Sequence, residues 1–343
     1  MLLTLTAKTT QFQKYTMKVS IIIPVHNRQA CVQSILTQIQ AQTLKVSHLE
    51  NIVVIVVDDG STDGTNELIQ RHFPTVHLLE GDGSLWWTGA IVKGMEYAAV
   101  NLNTDYIVWM NDDISIVDDF ICNLLSICVS YKYRETIVGG IVRDKTYSDW
   151  IVYSGLRCGK PIRHINDFSS SPELDVDTLS GNIVVIPKAV IDKIGMPNAT
   201  KFPHHGGDYE FIRLAKENGF RVISSIQLQA VTDYKVTDFI RYMPYWMQWY
   251  LQPSKSQRRE IIKGLKDIKS NQNIWLFVNI ANRKLQYIPS WKYTLCYLNK
   301  LLKLFVINLM PKKYVESKIY DYFASWSIPS PIADAAIRQI SSR

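Results

Sequence analysis

The sequence has no run of about 20 uninterrupted apolar residues, so no transmembrane helix is expected. It has no Cys-x-x-Cys. Its five cysteines (Cys31, Cys122, Cys128, Cys158, Cys296) are scattered and odd in number. That argues against a disulfide framework and a zinc site, and for a reducing compartment. There are no internal repeats and no low-complexity tracts. Residues 1–16 form a polar leader that lacks the apolar core of a signal peptide. The fold pattern begins only after Met17, a candidate for the true start. With 47% hydrophobic and 20% charged residues, the 343-residue chain can bury a sizeable core.

Charge is unevenly placed. After residue 240 there are 17 Lys and Arg against 5 Asp and Glu, whereas residues 1–240 hold 21 against 26. A mildly acidic globular unit is thus followed by a basic, aromatic-rich appendage. Such a split suggests contact with nucleic acid or a membrane. No nucleic-acid-binding motif accompanies the charge, so an anionic membrane surface is the expected partner. Tyr242, Tyr245, Trp246, Trp249 and Tyr250 precede basic clusters such as Lys255/Arg258/Arg259, Arg283/Lys284 and Lys312/Lys313. Leu295 to Met310 mixes large apolar residues with Lys300 and Lys303, as an interfacial helix does. The alternative is a solvated helical subdomain packed on the first unit.

Apolar runs at Val19–Pro24, Asn51–Val57, Thr75–Leu79 and Tyr106–Met110 predict strands. Helices are expected over about 29–40, after Thr62 or Asp63 as cap, over 90–100 and from Asp119 to about 131, with 81–89 as a loop. Strands alternating with helices at this spacing predict an α/β fold with a mostly parallel central sheet. Segments 137–142, 150–154 and 179–186 read as β. Helices near 188–194 and 208–218 and strands near 221–224 and 228–231 complete the unit. Beyond Thr237 the pattern is helical. The expected division is a leader (1–17), a globular domain (18–236) and a helical region (237–343).

The most informative stretch is Tyr106–Met110, an apolar run that ends in Asn111-Asp112-Asp113. Two adjacent carboxylates at the end of a buried strand repel each other and lose hydration, and a divalent cation held by oxygen ligands compensates well. The C-terminal strand edge is also where open α/β sheets bind ligands. The plainer reading is a polar loop before a helix capped by Asp118 or Asp119.

Four motifs in order, Val19-Ser-Ile-Ile-Ile-Pro-Val-His-Asn-Arg28, Val56-Val-Asp-Asp-Gly-Ser-Thr-Asp-Gly-Thr65, Asn111-Asp-Asp113 and Gly207-Asp-Tyr-Glu-Phe211, resemble the family 2 glycosyltransferases. The resemblance covers about residues 18–235. It implies the GT-A fold, a nucleotide-diphosphate sugar donor and inversion at the anomeric carbon. Leu85-Trp-Trp-Thr-Gly-Ala90 is similar to a bacterial branch that builds surface polysaccharides such as O-antigen and capsule.

Carried over residue by residue, the resemblance makes Pro24, Val25, Asn27 and Arg28 part of the nucleotide site. Asp59 accepts from the N3–H of a uracil or thymine, with Asp58 alongside; a turn and helix cap is the alternative for this pair. Asp113 and Asp112 hold Mg²⁺ or Mn²⁺ against the diphosphate, Asp112 also nearing the ribose. Asn111 stands where many relatives have a third Asp. Asp208 is the general base and Glu210 binds the acceptor or holds Asp208, with Arg213 as a partner at i+3. Trp86, Trp87, Thr88, Asn182, His204 and His205 are candidates for the sugar and acceptor. Asp233 occupies the place of a histidine metal ligand in many relatives. Ile91 and Val92 replace an Arg-Asn pair, and Lys93 is expected to face elsewhere.

The expected function is a metal-dependent inverting transfer from a UDP- or dTDP-sugar, of the rhamnose or a galactose form, to a polyprenyl-diphosphate-linked or polysaccharide acceptor. The protein would be cytoplasmic and peripheral on the inner face of the plasma membrane. The alternatives are a catalytically silent sugar-nucleotide or glycan-binding protein and a nucleotidylyltransferase. The latter needs a Gly-rich basic loop after the first strand, which Pro24-Val-His-Asn27 does not provide.

Overall fold

A computed structural model describes residues 17–46 and 52–342. The expected leader (except Met17) and the expected strand start at Asn51 lie outside the described residues. The first half alternates strand and helix: β1 (Val19–Val25), α1 (Gln29–Thr43), β2 (Ile52–Asp58), α2 (Thr65–His72), β3 (His77–Glu80), α3 (Trp86–Tyr97), β4 (Tyr106–Met110), β5 (Ser115–Ile116) and α4 (Phe120–Val129). Then come β6 (Thr136–Asp144), β7 (Ile151–Tyr153), β8 (Gly155–Arg157), β9 (Lys160–Pro161), β10 (Glu173–Asp175), β11 (Thr178–Leu179), β12 (Ile183–Pro187), α5 (Lys188–Ile194), α6 (Gly207–Glu217) and β13 (Arg221–Thr232).

The central sheet runs β10-β13-β6-β12-β4-β1-β2-β3. Of its long strands only β12 opposes the rest, pairing antiparallel with β4 and β6. The fold is therefore mixed α/β with a mostly parallel sheet, as expected. Period-two alternation divides the core. Val19, Ile21, Ile23 and Val25 of β1 and Val108 of β4 meet α1 and α4 on one face. Ile22, Ile107 and Trp109 meet α3 and α6 on the other.

Two local expectations change. Residues 86–89 are the first turn of α3, not loop, because Asp59 caps that turn from β2's end (below). The two strands expected over 221–231 are one strand, β13, whose register to β6 shifts between Ser224 and Gln229. This irregularity lets a single strand pair with β6 along both halves.

Beyond β13 lie α7 (Val236–Tyr242), α8 (Tyr245–Leu251), α9 (Lys255–Gly264), α10 (Ile274–Ala281), α11 (Ser290–Leu309), α12 (Lys312–Ser325) and α13 (Ser330–Ser341). Pro244, Pro289, Pro311 and Pro329 stand at the N-caps of α8, α11, α12 and α13. Proline lacks an N–H to waste there, and so punctuates the bundle. Phe239, Met243, Val315, Ile319, Phe323 and Ala336 form a core that also takes in Trp150 and Val152 of the sheet unit. The helices are thus packed on the α/β part.

Gly94 shows how closely α3 approaches the sheet: a Cβ there would lie 2.5 Å from Ile22 Cγ2. Gly94→Val should cost about 1–3 kcal/mol by overpacking. Thermal unfolding should show a lowered Tm; an unchanged Tm would mean that α3 can lift away freely.

Candidate active site

In the order β4-β1-β2 the chain leaves β1 on one side for β2 and β3, then returns to the other side for β4. The crevice outside the strand ends at such a switch is the usual ligand site of an open α/β sheet. Here it opens into a cavity of about 1800 Å³. Pro24, Val25 and Arg28 line it from β1's end, Asp59 from β2's end, and Asn111, Asp112 and Asp113 from β4's end. Trp86, Trp87, Asn182, His204, His205 and Asp208 complete that side.

The carboxylate pair already holds one cation. Arg28 donates from Nη1 to Asp112 Oδ1 at 2.8 Å and from Nη2 to Asp113 Oδ2 at 3.2 Å. Asp112 is only 4% exposed. Burial pushes its pKa up to about 7 despite the guanidinium. Asp112 Oδ2 and Asp113 Oδ1 are buried with no hydrogen-bond partner. Two such oxygens, on adjacent carboxylates lining the cavity, fit Mg²⁺ or Mn²⁺, which binds through one or two carboxylates plus phosphate oxygens. Among the described residues no cluster of three His, Cys, Asp or Glu forms a complete cage. The remaining ligands would have to come from a bound diphosphate and water.

Asp208, also in the cavity lining, lies in the first turn of α6, after Gly206 in the left-handed region at φ 83°. Its Oδ2 accepts from Gly181 N–H and its Oδ1 from Tyr209 N–H, both at 2.8 Å. Desolvation outweighs these two donors and pushes its pKa up to about 6. Glycine is required on both sides. A Cβ at Gly181 would fall 2.4 Å from the Trp87 ring, and one at Gly207 would fall 2.3 Å from Thr88 Oγ1. Trp87 donates from Nε1 to Asn111 Oδ1 at 2.9 Å, and Asn111 Nδ2 donates to Asn182 Oδ1 at 2.8 Å. Asn111 thus accepts on one side and donates on the other, which a third aspartate could not do. This relay ties α3 to the Asp112–Asp113 turn and to the start of β12.

Residues 20–164 match the family model described as glycosyl transferase family 2. That stretch is similar to a family 2 glycosyltransferase domain. Over 300 residues it is 24% identical to an uncharacterized glycosyltransferase of Rickettsia typhi, covering 83% of this chain and 86% of that protein. Over 88 residues it is 33% identical to an undecaprenyl-phosphate 4-deoxy-4-formamido-L-arabinose transferase of Aeromonas hydrophila subsp. hydrophila, covering 26% of this chain and 21% of that protein. A solved mannosyltransferase from Pyrobaculum calidifontis, in complex with GDP-Man and Mn²⁺, shares 13% identity at a TM-score of 0.49, with 96% of this chain and 85% of that one covered.

Within the matched stretch several motif residues hold loops together. Asn27, at φ 52°, accepts from Thr62 N–H at 2.7 Å, and Asp58 accepts from Ser61 N–H at 3.0 Å. His26 Nδ1 donates to Asp59 O at 2.6 Å. Asp59 Oδ1 accepts from Gly83 and Leu85 N–H at 2.9 and 3.2 Å, and Oδ2 from Trp86 N–H at 2.9 Å. Asp59 therefore starts α3, and keeps Trp86 at φ 58°, while facing the cavity.

Thr88 is fully buried between α3 and α6, and its N–H donates to Pro203 O at 3.0 Å. Glu210 turns away from the cavity, and the cation that reaches it is Arg283 at 3.7 Å rather than the expected Arg213. Asp233 is exposed and outside the cavity lining. Lys93 is spent on the Glu80 carbonyl. His204 packs 5.5 Å from Trp86, and burial lowers its pKa to about 4, so it is neutral at physiological pH. His205 Nε2 donates to Lys269 O at 3.0 Å.

Sequence reasoning missed the double grip of Arg28 and the basic lining contributed by the helical part, including Arg241, Lys269 and Lys300.

Asp59→Ala would strand three backbone N–H groups, each worth about 1–3 kcal/mol if left unsatisfied. It should lower Tm clearly as well as weaken pyrimidine nucleotides. Loss of nucleotide binding with an unchanged Tm would mean that the carboxylate reads the base and holds nothing.

Proposed function

We propose that the protein is an inverting, divalent-metal-assisted glycosyltransferase that uses a UDP- or dTDP-sugar and a lipid-linked acceptor in surface-polysaccharide synthesis. The observation that carries this reading is that two carboxylate sets line one cavity. Asp112 and Asp113 stand at the sheet end with free oxygens, and Asp208, from the start of α6, joins them with a raised pKa. When bound, the cation would neutralise charge on the departing diphosphate.

The rest is work for the chain's own groups. Pro24, Val25 and Asp59 form the slot for the base. Arg28 gives up part of its grip on Asp112 and Asp113 and is then free to meet phosphate oxygens. Trp86 and Trp87 offer aromatic faces to the sugar, and His204, neutral, can only share hydrogen bonds. Asp208 takes the proton from the acceptor hydroxyl as that oxygen attacks the anomeric carbon from the face opposite the diphosphate. A base with a pKa near 6 is ionised at neutral pH yet basic enough to accept that proton. Glu210, held by Arg283, supports α6 beneath it.

A membrane-facing acceptor is supported by the outer face of α11. Trp291, Leu295, Leu298, Leu302, Phe305 and Leu309 recur at alternating spacings of four and three and are all exposed, Leu309 to 71%. Among the described residues no helix is long and apolar enough to cross a membrane. A stripe of this kind, on a region with 17 basic against 5 acidic residues, suits the interface plane of an anionic bilayer. The Aeromonas relative's undecaprenyl-phosphate substrate is compatible with this placement.

Asp208→Asn should lower kcat by about 10²–10⁴ with little change in donor affinity. In the wild type kcat should fall as pH drops through about 6, because protonation of Asp208 removes the base. Asp113→Ala should instead lose divalent-dependent nucleotide binding. Near-normal turnover in Asp208→Asn, or a product with retained anomeric configuration by NMR, would overturn the assignment.

Phe305→Ser combined with Leu309→Ser touches exposed side chains only. Each large apolar side chain contributes about 1.5–3 kcal/mol when buried. The double variant should therefore fold normally yet fail to float with phosphatidylglycerol vesicles that carry the wild type. Equal flotation would place the membrane contact elsewhere.

A further inference from the structure

The cavity lining is uneven in charge. Its sheet end presents Asp59, Asp112, Asp113 and Asp208, with Arg28 bound to Asp112 and Asp113. The helical part lines it with five basic side chains, Arg241, Lys269, Lys292, Lys300 and Lys303, against one carboxylate among the described residues, Asp238. Lys300 is the least expected of these. It is only 9% exposed. Its Nζ lies 3.7 Å from the Phe277 ring centre and 4.6 Å from that of Tyr245. Among the described residues no carboxylate pairs with it. A desolvated ammonium with aromatic walls and no counter-ion is costly, and burial pushes its pKa down to about 8. Lys303 stands one turn further on, 5.3 Å from the Trp246 ring centre.

The same helix links this basic pocket to the apolar stripe. Trp291 and Leu295 line the cavity and are also 58% and 48% exposed. They form a mouth from which Leu298 and Leu302 continue outward. A molecule with an anionic head and a long apolar tail matches this order: head among the lysines, tail across the outer face of α11.

We propose that Lys300 and Lys303 form a second anion subsite, separate from the Asp112–Asp113 end, that binds the phosphate or diphosphate of a prenyl-chain acceptor. This deepens the lipid-linked acceptor reading and rests on it. The subsite holds the carrier's charged group at the basic end, so that its glycan reaches along the cavity toward Asp208.

The test is calorimetric titration of the full-length protein with farnesyl diphosphate in EDTA, which silences the metal-dependent end. Farnesol and inorganic diphosphate serve as head-less and tail-less controls. Farnesyl diphosphate should bind at least tenfold more tightly than either. Lys300→Met should weaken it at least tenfold while nucleoside diphosphate binding with Mn²⁺ is unchanged. Lys303→Met, exposed at the rim, should do the same in smaller measure and carries the test if Lys300→Met lowers Tm.

Unchanged affinity in a folded lysine variant overturns the subsite alone. Displacement of farnesyl diphosphate by nucleoside diphosphate puts it in the donor site and overturns the subsite as well. Displacement by phosphatidylglycerol vesicles assigns the lysines to bilayer headgroups and overturns the carrier as occupant. A wild type that binds no farnesyl diphosphate but glycosylates a soluble, lipid-free glycan overturns the lipid-acceptor reading itself.

Discussion

Two carboxylates side by side at the end of a buried strand constrain everything around them. Taking an ionised carboxylate out of water costs several kcal/mol even after relaxation, and a neighbouring carboxylate adds repulsion. Here the compensating charge is Arg28, which touches both Asp112 and Asp113. Arg28 follows β1 directly, so the ion pairs depend on β1 lying next to β4 in parallel register, Val19 beside Tyr106. The loop that carries Arg28 is in turn tied to the loop after β2 through His26 and Asn27. Asp59 in that second loop organises the start of α3, and Trp87 of α3 binds back to Asn111. The ring of contacts closes on the carboxylates where it began. On the proposed reading, a divalent cation bound here would share these carboxylates with the guanidinium of Arg28.

Much of this was legible because it is local. Buried parallel strands read as apolar runs, so β1, β2 and β4 stand out, and the acidic motifs follow strands whose ends the topology brings together. What was not legible depends on partners remote in sequence. Residues 81–89 look like a loop because Gly81, Gly83 and Gly89 break the helical pattern. The start of α3 at Trp86 is fixed by Asp59, a cap 27 residues upstream. Glu210 has a plausible neighbour at Arg213, but its ion-pair partner is Arg283, brought up by the packing of the C-terminal helices. Asn111 reads only as a substitute for a third Asp, and the indole of Trp87 and the amide of Asn182 on either side explain an amide there.

The C-terminal region shows the same limit in another form. Its composition suggests a helix with an apolar body and a cationic edge. In the fold, α11 turns Lys300 inward and leaves Leu298, Leu302 and Phe305 in solvent. Composition cannot distinguish that arrangement from the ordinary one. The three-four spacing of the apolar stripe can, once the opposite face is seen to carry Lys292, Cys296, Lys300 and Lys303 at spacings of four, four and three. The helix thus buries Lys300 together with Leu304 and Ile307 and leaves the apolar stripe outward.

On the proposed reading, the charge separation along the cavity resolves a difficulty that any transfer between two phosphorylated partners meets. Donor and carrier are both anionic, and two diphosphates in one low-dielectric chamber repel. Placing the cation-binding carboxylates at the sheet end and the lysines at the helical end gives each anion its own counter-charge and keeps the two apart. The groups that must meet, an anomeric carbon and a sugar hydroxyl, are both uncharged until the reaction begins. They meet at Asp208, which is desolvated and without a cation among its hydrogen-bond partners. A base at that point is not neutralised by either set of charges, and desolvation alone is enough to raise its proton affinity.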